Sequence, residues 1–141
     1  MRLIPTAVFA LCFLPLLTSC ADDAVEWTVT IISDRSTLPG TGGSPVTLQM
    51  SVLDQDRNPA EQGEAIVVVC TTATADVAVL VNGAETGTAS LLLDEFGSAS
   101  AQVTCTNASS TVADVVCVAR FTAGDARANA LLRCTGTAPA P

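Results

Sequence analysis

The chain has 141 residues and a formal net charge of −8, from 14 acidic residues and six arginines, with no lysine, histidine or tyrosine. Because an acidic surface repels phosphate groups, this charge argues against nucleic-acid binding. Ser-His-Asp, Cys-His and Ser-Lys catalysis are excluded because histidine and lysine are absent. The composition does not exclude a hydrolase built on two carboxylates, but few aromatic rings are present to hold a sugar. We therefore expect no enzyme, no catalytic residue and no cofactor.

The first 19 residues have the composition of a secretory signal peptide. Arg2 is the only charged residue, and an apolar run over residues 7–17 follows it. This run is shorter than the roughly 20 residues of a membrane-spanning helix, and Pro5 and Pro15 disfavour a continuous helix. We therefore interpret residues 1–19 as a signal peptide removed on export, which leaves a remainder the size of one domain.

The segment Leu17-Thr18-Ser19-Cys20 resembles the lipobox of bacterial lipoproteins at all four positions. The resemblance implies cleavage before Cys20 and lipid attachment to that cysteine, with residues 20–25 as a short tether to the membrane. Ala21 stands where an aspartate would favour the inner membrane, so the resemblance favours the outer membrane or the cell surface. The alternative is ordinary signal cleavage nearby, which would leave Cys20 as an odd thiol. A covalent anchor also suits an acidic domain, which binds anionic lipid poorly.

Four further cysteines, Cys70, Cys105, Cys117 and Cys134, remain in the exported part of the chain, whereas Cys12 lies in the signal peptide. Export favours oxidation, so we expect two disulfides, with buried free thiols as the alternative. Zinc is disfavoured because the closest pair is twelve residues apart and histidine is absent. Of the three connectivities, Cys117–Cys134 with Cys70–Cys105 is preferred, because the first pair would join neighbouring strands.

Residues 26–134 show strand periodicity and no helical stripe. Apolar side chains alternate most clearly over residues 46–52, whereas residues 64–72 are continuously apolar, which predicts a strand buried on both faces. Asn82-Gly83 is a strong turn signal, and residues 135–141 form a tail expected to fray. Predicted strands cover residues 26–33, 46–52, 64–72, 77–81, 86–93, 98–105, 112–121 and 128–134. This pattern predicts an all-β fold, an antiparallel β-sandwich of seven to eight strands.

Three segments of this region resemble bacterial Ig-like domains of the invasin/intimin type. Residues 46–59 combine an alternating strand with an acidic turn that ends in Asn-Pro, residues 93–101 contain an Asp-x-x-Gly turn, and residues 115–119 resemble the penultimate strand. The resemblance covers residues 26–134 and implies an Ig-like sandwich. The four cysteines depart from the general pattern, and the family usually occurs in tandem, whereas one copy is present here.

These patterns together predict a membrane-anchored surface or periplasmic module that acts in adhesion, scaffolding or envelope protein interactions. Its expected partners are the membrane, through lipid on Cys20, and a protein of unknown identity. Trp27 is either a binding anchor or a packed residue of the first strand, and packing is the more common role. Asn107-Ala108-Ser109 fits a glycosylation sequon but is interpreted as a hairpin loop.

The alternative function is a small-ligand or calcium-binding lipoprotein that uses acidic turns. Residues 54–58 open like a calcium loop, but Pro59 stands where the loop requires glycine, and Ala65 where it requires glutamate. A polar turn is therefore the preferred interpretation, and no metal site is expected. Asp94 and Glu95 form the second acidic turn.

Overall fold

The computed structural model describes residues 24–137, which form nine β-strands in two sheets. The signal peptide, Cys20 and residues 138–141 lie outside the described residues. The strands are β1 (Trp27–Ser33), β2 (Thr37–Leu38), β3 (Val46–Asp54), β4 (Ala65–Thr71), β5 (Val77–Val81), β6 (Thr88–Leu92), β7 (Ser98–Asn107), β8 (Ala113–Phe121) and β9 (Arg127–Cys134).

The two sheets contain four and five strands. The four-stranded sheet has the order β1-β3-β7-β5, and the five-stranded sheet has the order β2-β9-β8-β4-β6. All pairs are antiparallel except β2 with β9, where the chain has crossed from one sheet to the other. The predicted all-β sandwich with two disulfides is confirmed, with one strand more than the seven to eight expected.

The core lies between the sheets and is built from alternate residues of each strand. In β3, Val46, Leu48, Met50 and Val52 are buried, as their alternation predicts. Phe121 is the largest fully buried side chain, and most of the others are valine, leucine and alanine. Such side chains bury little area each, so the core depends on close packing between the sheets.

The burial of β4 differs from the prediction. Ile66, Val68 and Cys70 are buried, but Val67 and Val69 on the other face are only half-buried. The continuous apolar run predicted burial on both faces, and this is wrong because no described element covers the outside of the five-stranded sheet. An apolar strip is thereby left on the surface.

The short strand β2 was not predicted. It lies at the start of a Gly/Pro loop, and Thr37 and Leu38 pair with Arg133 and Cys134. Two residues cannot show a period, so the sequence carries no strand signal here. Leu38 is nevertheless fully buried, because the pairing places it at the edge of the core.

The cysteines form Cys70–Cys117 and Cys105–Cys134, so the preferred pairing is wrong. Cys117 and Cys134 do lie on neighbouring strands, as expected. In the register of these strands, however, Cys117 lies opposite Ala130, which is four positions from Cys134. Cys70 instead lies directly opposite Cys117 across β4 and β8, with their Cα atoms 4.0 Å apart. The second bond joins β7 to β9, with a Cα–Cα distance of 6.2 Å, and therefore connects the two sheets.

The tail expected to fray begins at residue 135. Within the described residues, the Thr135 amide donates to the carbonyl of Leu38, and the Thr137 amide and hydroxyl donate to the carbonyl of Asn107. Thr135 and Thr137, which follow the last strand, are therefore hydrogen-bonded to the sandwich.

Candidate functional site

Two acidic turns with the same hydrogen-bond pattern lie at one end of the sandwich. Between β3 and β4, Oδ1 of Asp54 accepts bonds from the amides of Asp56 and Asn58, and Oδ2 accepts from Nδ2 of Asn58. Between β6 and β7, Oδ1 of Asp94 accepts bonds from the amides of Phe96 and Ser98. In each turn the aspartate therefore satisfies backbone donors that the strands leave unpaired.

The fourth residue of each turn has a left-handed backbone. Arg57 has φ 66° and Gly97 has φ 67°. The two turns are joined, because the amide of Val52 donates to the carbonyl of Gly97 at 2.8 Å. A Cβ on Gly97 would lie 2.7 Å from the carbonyl oxygen of Val52, so glycine is required for this close approach.

This arrangement does not favour the calcium hypothesis. The carboxylates of Asp54 and Asp94 are directed into their own turns, where Oδ1 of each accepts two bonds from backbone amides. Among residues 24–137, no group of three or more acidic, cysteine or histidine side chains is arranged to hold a metal ion. The acidic turns are therefore structural elements that fix two of the connections between the sheets.

Hydrogen bonds from the Asn58 side chain and amide hold the pKa of Asp54 below its ordinary value. A lowered pKa in the folded state means that Asp54 stabilises the fold above the ordinary aspartate pKa, and that this contribution is lost as the pH falls through the folded value. We expect Asp54→Ala to reduce the loss of stability between neutral pH and about pH 3, measured by urea unfolding. Asp56→Ala is the control, because it leaves the bonds between Asp54 and Asn58 in place. Equal pH dependence of the stability of the two variants would contradict the prediction.

The outer face of the five-stranded sheet combines apolar and basic side chains. A surface depression of about 320 Å³ is lined by Val67, Val69, Val118, Arg120 and Arg127. Arg120 lies between buried Ala119 and Phe121 on β8, and Arg127 is exposed next to half-buried Ala128 on β9, so both guanidinium groups project from this face. We call these five residues the basic groove.

Asp125, in the turn between β8 and β9, lies between the two arginines of the basic groove. Its Oδ1 is 2.6 Å from Nε of Arg120 and 3.4 Å from Nη2 of Arg127. Hydrogen bonds from Arg120 and then Arg127 hold the pKa of Asp125 below its ordinary value. All three side chains are more than half exposed, so these ion pairs add little stability, and two cations share one carboxylate.

The outer face of the four-stranded sheet is chemically different. Its outward side chains on β1, β3 and β7 carry no charge, and two of them, the exposed Ile32 and the half-buried Leu53, are apolar. The others carry hydroxyl or amide groups: Thr28, Thr30, Thr47, Gln49, Ser51, Ser98, Ser100, Gln102, Thr104 and Thr106. The charges of the domain therefore lie on the loops and on the other sheet.

Trp27 and Asn107 have structural roles in the described residues. The Trp27 ring packs edge-on against Phe121, with ring centroids 5.1 Å apart. A Cβ on Gly124 would lie 2.2 Å from Cδ1 of Trp27, so the turn after β8 closes over the indole. Asn107 is buried, and its Nδ2 donates to the carbonyls of Thr111 and Cys134, so this amide of the sequon holds the loop between β7 and β8. The hairpin predicted for this loop is wrong, because β7 and β8 belong to different sheets.

Comparison with solved structures identifies the architecture. The adhesin InvE from Yersinia pseudotuberculosis matches with a TM-score of 0.59 and 12% identity, over 77% of this chain and 32% of that chain. The D00-D0 domain of intimin matches with a TM-score of 0.56 and 13% identity, over 80% of this chain and 48% of that chain. The domain has an Ig-like fold. The chain spans less than half the length of either structure.

The resemblance inferred from residues 46–59, 93–101 and 115–119 is thus confirmed at the level of fold. No family model matches the sequence, and no curated protein matches it. Within residues 24–137 the Ig-like domain contains no helix of the length and apolarity needed to cross a membrane.

The basic groove was not predicted from the sequence. Arg120 and Arg127 come from two strands, and the register places them opposite each other, while Val67 lies opposite Arg120 on β4. The only local signal is the alternation of Arg120 with Ala119 and Phe121, which indicates an outward arginine but not its neighbours.

Proposed function

We propose that this protein is a lipid-anchored Ig-like module of the cell envelope that acts in adhesion, scaffolding or envelope protein interactions without catalysis. Residues 1–19 act as a signal peptide, and Cys20 carries the lipid. The anchor places the protein at the outer membrane or cell surface rather than the inner membrane.

The observation that carries this proposal is the Ig-like fold, which has the adhesin InvE and intimin among its structural neighbours. The described surface supports an interaction role because it offers a basic groove and an uncharged polar sheet face. The carboxylates of Asp54 and Asp94 accept hydrogen bonds within their own turns. Recognition by a sandwich of this kind uses its faces, edges and loops.

The lipid anchor is tested by Cys20→Ser. We expect the wild-type chain to remain with the membrane fraction and the variant to be released, because one thiol is the only point of attachment proposed. Mass spectrometry of the wild-type protein should show a mature chain that begins at Cys20 and carries acyl groups. Cys12→Ser is the matched control, since it changes a cysteine of the signal peptide and leaves residues 17–20 intact. Unmodified Cys20, or a variant that stays with the membrane, would contradict the proposal.

The interaction role is tested separately from the anchor. We propose to identify proteins cross-linked to the full chain in intact cells and to repeat the experiment with charge reversals on the basic groove. A specific partner whose yield falls with Arg120→Glu supports the role. Turnover of a substrate by the purified protein would contradict the proposal that the module acts without catalysis.

A further inference from the structure

The charges of the described residues are distributed unevenly. Three of the five arginines, Arg120, Arg127 and Arg133, project from the outer face of the five-stranded sheet, where Asp114 and Asp125 are the acidic residues beside them. The rest of the domain carries two arginines and ten acidic residues. The basic groove therefore faces outward from an otherwise acidic molecule, and it would attract an acidic surface.

The same chain carries a surface of complementary chemistry. In the turn between β6 and β7, the Phe96 side chain is 69% exposed and is preceded by Asp94 and Glu95. Because the Phe96 amide donates to Oδ1 of Asp94 at 2.9 Å, the backbone at this aromatic residue is fixed before any contact forms. Little backbone conformational entropy is lost when such a residue is buried in an interface.

We infer that the basic groove binds the Phe96 turn of a second copy of this chain. The phenyl ring packs on Val67, Val69 and Val118, and the Glu95 carboxylate lies beside the guanidinium groups of Arg120 and Arg127. Two grooves placed face to face would bring arginines together, which charge repulsion disfavours, so the contact joins different surfaces of the two copies. This association goes beyond the proposed function.

Site-specific photo-cross-linking tests the contact in the full chain. A photoreactive phenylalanine analogue at position 96 should give a product of twice the chain mass on irradiation. Peptide mapping should locate the cross-link to β4 or β8 of the second copy. The same analogue at Ile32, which is 63% exposed on the other sheet, is the control and should not label those strands.

Charge reversal tests the role of the arginines. Arg127→Glu should lower the yield of the cross-linked dimer about tenfold, as expected for loss of a close charge pair at an interface. Adding Glu95→Arg to that variant should restore part of the yield, because the charge pair with position 127 is then reversed while Arg120 is unchanged. Arg133→Glu, the same charge change farther along β9, should leave the yield within about twofold.

Three results would overturn the inference: no dimer product at position 96, a cross-link that maps outside the basic groove, or equal losses from Arg127→Glu and Arg133→Glu. Circular dichroism of each variant should match the wild type, because all substituted side chains are exposed. Failure to restore the yield in the double variant would likewise reject the pairing of Glu95 with Arg127.

Discussion

A variant in which Cys70, Cys105, Cys117 and Cys134 are all replaced by alanine is expected to be largely unfolded at about 25 °C. The two disulfides span 47 and 29 residues, and loops of these lengths correspond to about 3 to 4 kcal/mol each in the chain-entropy model. Because small domains have only about 5 to 15 kcal/mol of stability, losing both bonds removes most of it.

The loss of stability is expected to be large because the core has few large side chains whose burial could compensate for the missing disulfides. Aromatic residues make up 4% of the chain, and the interior is filled mainly by valine, leucine and alanine. The buried area per side chain is therefore modest, and the hydrophobic contribution is limited. The bond between Cys105 and Cys134 also joins the two sheets through side chains that are fully buried.

The measurement is urea unfolding followed by circular dichroism, on the wild type, the two paired double variants and the fourfold variant. Each double variant should remain folded and lose about 3 kcal/mol or more. The fourfold variant should show no cooperative transition. A fourfold variant that unfolds cooperatively within 1 kcal/mol of either double variant, or a double variant as stable as the wild type, would contradict the prediction.

Local sequence was sufficient for the features that depend on neighbouring residues. Val46 to Val52 alternate in burial because a strand places successive side chains on opposite faces. Asn82 and Gly83 form the predicted turn with φ angles of 51° and 78°, which these two residue types tolerate. In both cases the determining contacts lie within a few positions along the chain.

Features that depend on register could not be obtained in the same way. The disulfide partner of Cys117 is decided by which residue of β4 lies opposite it, and that residue is Cys70. The basic groove has the same origin, because Arg120 meets Arg127 and Val67 only after three strands have paired. A shift of one residue would send these side chains to the opposite face, so periodicity alone leaves their neighbours open.

The second large effect is expected at Phe121. Replacing Phe121 with alanine should lower the free energy of unfolding by about 4 kcal/mol, because a fully buried ring is removed and the surrounding core cannot fill the space. The loss includes the edge-on contact with Trp27, whose ring centroid lies 5.1 Å away. As the chain has one tryptophan, the red shift of its fluorescence on exposure reports directly on this contact.

Phe96→Ala provides the matched control, since it makes the same chemical change at a side chain that is 69% exposed. Its stability should stay within about 0.5 kcal/mol of the wild type, with unchanged tryptophan emission. Phe121→Leu should cost less than Phe121→Ala because it leaves a smaller cavity. If Phe121→Ala were no more destabilising than Phe96→Ala, the stability of the sandwich would rest on its two disulfides and not on the packing of its largest core side chain. The tryptophan emission of Phe121→Ala would then also show no red shift. The free energy of unfolding and the fluorescence therefore test the same contact between Phe121 and Trp27.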